Sequence, residues 1–175
     1  MNFSFIITGF LNLLFAPYYY PEMFWVVFPL IVTLFVIEFY SGLYENEDYG
    51  GHTSLTNSLV FVYIGVDLIR KLLHEPWTSN YVIKLGVSIT LVIFGLILIY
   101  DNFKHKGGFF SKIFSSLLIV NTLTYLAIVT VYAEYAIDWL YLMNAIIFIL
   151  VIWLFFAVIH LFQKKKVKTS VNSLM

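Results

Sequence analysis

The sequence predicts an all-α, polytopic transmembrane helix bundle: about five spanning helices plus a short apolar N-terminal helix that is either a sixth span or interfacial. Three observations carry this expectation. Hydrophobic residues make up 61% of the 175, mean hydropathy is +0.89 and only 11% of residues are charged, whereas a soluble domain gives about a quarter of its positions to charge. The apolar residues fall into runs of roughly 20, the length a helix needs to cross a hydrocarbon core about 30 Å thick. Aromatic residues, 20% of the chain, gather at the run ends, among them Trp25, Tyr40, Trp77, Tyr81 and Trp139, where amphipathic rings prefer the headgroup level.

The first apolar run, within Asn2 to Ala16, has no Lys or Arg before it and is broken by Pro17 and Pro21. It therefore reads as an uncleaved, short or interfacial helix rather than a signal peptide. Met23 to about Tyr40 is the first full span, with Glu38 near its far end. An acidic loop from Tyr44 to His52 follows, carrying Glu45, Glu47 and Asp48, and Gly50-Gly51 stops any preceding helix. Thr53 or Ser54 can cap the next helix by accepting from its unpaired N–H groups.

That second span, Ser54 to about Leu73, is the least apolar. At 100° per residue, Thr53, Asn57, Val60, Ile64, Asp67 and Lys71 lie on one stripe, flanked by Thr56, Tyr63 and Arg70. Such a stripe should face protein or water rather than lipid. A third span runs from about Val82 to Tyr100, where Lys84 is expected to snorkel from the end and Gly86, Ser88 and Gly95 permit close helix approach. A basic turn with Lys104, Lys106 and Lys112 leads to the fourth span, about Ile113 to Tyr132, which carries Asn121, Thr124 and Tyr125. After Glu134 and Asp138 the last span opens at Trp139 and ends near Phe162.

There is no internal repeat and no second domain. Residues 1–175 read as one integral-membrane unit: a short N-terminal helix over 1–20, the bundle over 23–163, and a basic, disordered tail over 164–175. Alternation of the spans puts the basic turn, the acidic loop and the tail on one side. The Lys and Arg excess makes that side cytoplasmic, which predicts a multi-pass cell-membrane protein with its C-terminus inside. Lys164, Lys165, Lys166 and Lys168 are candidate contacts for anionic lipid.

The candidate polar site comprises Glu38, Asn57, Asp67, Arg70, Thr124 and Tyr125. A rise of 1.5 Å per residue separates the Glu38 and Asp67 levels by about 10 Å, which rules out a direct carboxylate pair. Glu38 is expected to accept from Asn57, Thr56 or the Thr53 cap. Asp67 is expected to pair with Arg70, three residues on, and to take a hydroxyl from Thr124 or Tyr125. An unpaired charge at such depth costs at least about 2.5 kcal/mol, so pairing is demanded on energetic grounds.

Several chemistries are excluded or disfavoured. With Cys 0, the chain offers no disulfide, thiol nucleophile or cysteine-based metal site. It has no basic stripe with interleaved aromatics, so nucleic acid is not an expected partner. Four histidines are too few for a histidine-box desaturase, and their positions at ends and loops do not suit bis-histidine haem. The last span has no internal lysine for retinal, no phosphate-binding glycine loop occurs, and Gly51-His52-Thr53-Ser54 has the wrong order for an intramembrane serine protease. No cofactor is expected. Three function classes survive: a non-catalytic packing or accessory subunit that self-associates or joins a larger membrane complex; a small transporter or ion-conducting oligomer using the polar stripe; and a surface enzyme acting on lipid through a metal held by Glu45, Glu47, Asp48 and His52. The first is favoured, because scarce interior chemistry demands no more.

Overall fold

A computed structural model describes residues 3–43, 50–77, 80–104, 114, 116–133, 135 and 137–172, with the side chains of 3–5, 41–43, 50–53 and 163–172 left aside. The acidic-loop candidates Glu45, Glu47 and Asp48, the His52 side chain and the lysine side chains of the tail lie outside what it describes. Every element among the described residues is a helix. In chain order these are α1 (Phe3–Leu14), α2 (Ala16–Tyr19), α3 (Pro21–Leu43), α4 (Gly50–Leu73), α5 (Tyr81–Phe103), α6 (Leu117–Tyr132) and α7 (Trp139–Asn172).

Three of them are long and apolar enough to cross a membrane: Pro21–Tyr40 within α3, Tyr81–Phe103, and Trp139–Phe162 within α7. The helix α4 has the length, 24 residues, but its polar stripe dilutes its hydropathy. With 16 residues, α6 is shorter, about 24 Å at the usual rise. The 12 residues of α1 cover about 18 Å, well short of a hydrocarbon core. Helix α7 continues past Phe162 to Asn172, so the segment bearing the tail lysines is helical.

The short helix α6 is the centre of the molecule. It touches α3, α4, α5 and α7, and every residue from Thr124 to Val131 is buried, as are Val120, Asn121 and Thr122. A helix that is apolar all round belongs in a core. Its threonines fit there because Thr122, Thr124 and Thr130 each donate to the carbonyl four residues back, at 2.7 Å, leaving no hydroxyl proton unsatisfied.

The tightest contact is α4 against α5, which run antiparallel. A Cβ on Gly65 would lie 3.0 Å from the Ser88 carbonyl oxygen, and one on Gly95 would lie 2.8 Å from that of Ser58. Each helix of this seam thus repeats Ser and Gly seven residues apart, and each glycine sits on the partner helix's serine turn. Ser58 and Ser88 bond their own helices, to Ser54 O and Lys84 O at 2.8 and 2.9 Å, so the backbones meet without stranded hydroxyls. Of the residues expected to permit close approach, Ser88 and Gly95 are in this seam. Gly86 is not: nothing lies within 4 Å of a Cβ built there.

Candidate functional site

The polar side chains collect at the two ends of α6. At its N-terminus the helix has backbone N–H groups with no intrahelical acceptor. The Glu38 carboxylate, arriving from α3, accepts from one of them, Leu118 N–H. His160 of α7 reaches the same carboxylate, with Nε2 3.3 Å from Oε2, and its ring nitrogen also lies 3.3 Å from Glu38 O. Asn57 of α4, fully buried, donates through Nδ2 to Phe114 O at 2.9 Å, just before α6 begins. An acid at a helix N-terminus interacts favourably with the helix dipole, by about 0.3–1 kcal/mol and more where water is excluded.

The C-terminus of α6 has the opposite complement. Lys84 of α5 is 6% exposed, and its Nζ donates to Val131 O at 3.0 Å, one of the carbonyls the helix cannot satisfy itself. One residue later, Tyr132 donates its hydroxyl to Asp67 Oδ2 at 3.0 Å. Arg70 donates through Nη2 and Nε to the other oxygen, Asp67 Oδ1, at 2.6 and 3.1 Å. Lys71 pairs with Glu22 of α3, lies 3.4 Å from Glu75 and sits over the Tyr132 ring at 5.3 Å. In the link after α6, Tyr135 donates to Asn12 O of α1 at 3.1 Å, and burial pushes its hydroxyl above the usual phenol range.

The sequence-derived site is therefore split. Glu38 and Asn57 belong to the N-terminal end of α6; Asp67 and Arg70 belong to the C-terminal end. The separation of the two carboxylates follows the depth arithmetic, but two assigned contacts need correction. At the N-terminal end Asn57 donates to Phe114 O and Glu38 meets Leu118 N–H and His160, because α6 and α7 converge on α3 there. The hydroxyl on Asp67 comes from Tyr132, since Thr124 and Tyr125 lie about two turns away along α6. Thr124 bonds Val120 O, and Tyr125 donates to Leu13 O at 2.6 Å, at the C-terminal end of α1. Lys84, expected to snorkel to the interface, turns inward to the end of α6.

Two groups were not evident from sequence. The partners of His160 and Tyr132 are 122 and 65 positions away, beyond any local pattern. Asn144 of α7 was also unmarked, and it sits directly over Gly9 of α1, where a Cβ would lie 2.1 Å from its Nδ2.

Among the described residues no three acidic or histidine side chains converge in a way that could hold a metal. The polar groups bond backbone termini and each other across helices, an arrangement suited to fixing helix register. No family model, no curated protein and no solved structure matches the chain.

Proposed function

We propose that the protein is a non-catalytic, multi-pass integral membrane protein acting as a packing or accessory subunit of a membrane assembly. The observation that carries this reading is where the polar groups go. Asn57, Ser58, Ser88 and Thr124 are each 0% exposed and bonded to backbone carbonyls, which supports an interior of contacts between helices rather than of groups lining water. A conducting path needs such groups to line water; here Asn57 bonds the segment just before α6 and the three hydroxyls bond the preceding turn of their own helices.

In this reading α3 to α7 are the five spans and α1 inserts only part of the way, anchored by Tyr125 and Tyr135. The C-terminus is cytoplasmic by the lysine excess, and Lys164, Lys165, Lys166 and Lys168 meet anionic lipid on the helical extension of α7. The broad apolar exterior of α3 and α7, including Trp25 and Trp153, meets lipid or a neighbouring subunit.

The test is ion flux in proteoliposomes. Wild-type protein is expected to conduct no better than protein-free vesicles. Flux that Asp67→Asn abolishes, in a variant that inserts normally, would replace this reading by the conducting one.

A further inference from the structure

The outer face of α4 departs from the rest of the exterior. Along their middles, α5 turns out Ile89, Ile93 and Ile97, and α7 turns out Leu150 and Leu154, side chains that acyl chains solvate as well as protein does. On α4 the exposed residues are Thr56, Leu59, Tyr63, Val66, Arg70 and Leu73. Their spacing alternates three and four, so they form one seam with a seven-residue repeat, in which Thr56, Tyr63 and Arg70 take one position and Leu59, Val66 and Leu73 the other. Lipid asks for no such repeat. A neighbouring helix does, because a period of 3.5 residues keeps one face against it along the whole contact.

Tyr63 makes the need for a neighbour concrete. It is 73% exposed, and at the usual rise it lies about 14 Å from both Ser54 and Leu73, in the middle of the helix. Exposed hydroxyls on the other spans are satisfied by their own backbone: Thr33 donates to Pro29 O at 2.9 Å and Thr90 to Gly86 O at 2.7 Å. The Tyr63 hydroxyl stands too far from its own helix for that, and among the described residues it has no hydrogen-bond partner. Acyl chains offer none.

Symmetry identifies the occupant. A closed pair of copies inserted the same way round is parallel about a two-fold axis, so each seam residue meets its own counterpart. A hydroxyl both donates and accepts, and Tyr63 can therefore satisfy a second Tyr63 across the axis. Arg70 is the one seam residue that would repel its counterpart, and it is neutralised by Asp67 Oδ1 of its own helix at 2.6 Å, near the end of α4. Trp153 of α7, also exposed, only donates and cannot serve its own copy in this way. We propose that the protein pairs with a second copy of itself through the α4 seam, with the two Tyr63 hydroxyls hydrogen-bonded to each other in the middle of the bilayer. The pairing rests on the reading of α4 as a span, and it supplies one contact of the membrane assembly.

The test is disulfide cross-linking of single cysteines in the full chain, which has no thiol of its own, in phosphatidylcholine vesicles with copper phenanthroline as oxidant. The substituted residues all face outward, so the packed interior is left intact. Leu59→Cys and Val66→Cys are expected to give a linked dimer, whereas Ile93→Cys and Leu150→Cys, comparably exposed on α5 and α7, are not. In the Val66→Cys chain, adding Tyr63→Phe should weaken pairing by about threefold to tenfold, read as the lipid dilution at which half the chains cross-link; adding Trp153→Phe should leave that midpoint unchanged. Dimers formed equally well at Ile93 and Leu150 would be random collisions and would overturn the proposal, as would an unshifted midpoint with Tyr63→Phe. Leu59→Cys and Val66→Cys that are protected from a membrane-impermeant thiol reagent yet do not cross-link would overturn the pairing alone. Labelling of both by that reagent would put α4 outside the bilayer and overturn the reading of α4 as a span as well.

Discussion

The α4–α5 seam and the α3–α7 seam are built from opposite materials. In the first, Gly65 and Gly95 let two backbones touch each other's serine turns. In the second, large rings such as Phe35 and Phe156, with centroids 5.5 Å apart, hold the helices off and leave a cavity beside Asn121. Dispersion between helices in lipid depends on close approach, since lipid tails offer no hydrophobic penalty to escape. Small residues therefore bring α4 and α5 into backbone contact, and aromatic residues hold α3 and α7 apart.

The comparison is broken most severely at its tight side. Gly95→Leu puts a side chain into Ser58 O and the Val62 backbone, neither of which can rotate away. A loss of about 3 kcal/mol in unfolding free energy, measured in mixed micelles, is expected. Lys84→Met follows, at about 2 kcal/mol, because it removes a charged hydrogen bond from a buried helix end; Lys84→Arg should recover part of it. Gly9→Ala meets only the end of the Asn144 side chain, which can turn aside, so about 1 kcal/mol or less is expected by the same measurement. Leu34→Phe adds bulk beside the cavity and should shift stability by under about 0.5 kcal/mol in either direction. If it costs as much as Gly95→Leu, the two seams do not differ as described.

The spans were legible wherever composition alone decides. The apolar runs read as starting at Met23, Val82 and Trp139 correspond to helices starting at Pro21, Tyr81 and Trp139. The Asp67–Arg70 contact was legible too, because a spacing of three places neighbours on any helix. The contacts of Glu38 and Lys84 were not. Their partners are the backbone termini of α6, and a sequence does not announce which helix end a distant side chain will satisfy. The centrality of α6 was equally hidden: Thr124 was expected to reach Asp67, yet it bonds Val120 O of its own helix, and burial on all sides is a property of the assembled bundle. Gly65 lies on the face of α4 away from the polar stripe, and its close approach to Ser88 exists only in the packed pair. The buried, unpartnered Nδ2 of Asn121 is likewise a property of the assembled bundle.

Water accessibility tests most directly whether the interior polar groups are sealed. Single cysteines at Asn57, Ile64, Asp67 and Thr124 would be unique thiols, since the chain has none. With a membrane-impermeant thiol reagent, protection is expected at Asn57, Ile64 and Thr124, which are at most 3% exposed, and labelling only at Asp67, beside the exposed Arg70. Labelling at Asn57 and Thr124 in the folded protein would mean a hydrated path through the bundle and would contradict the sealed core.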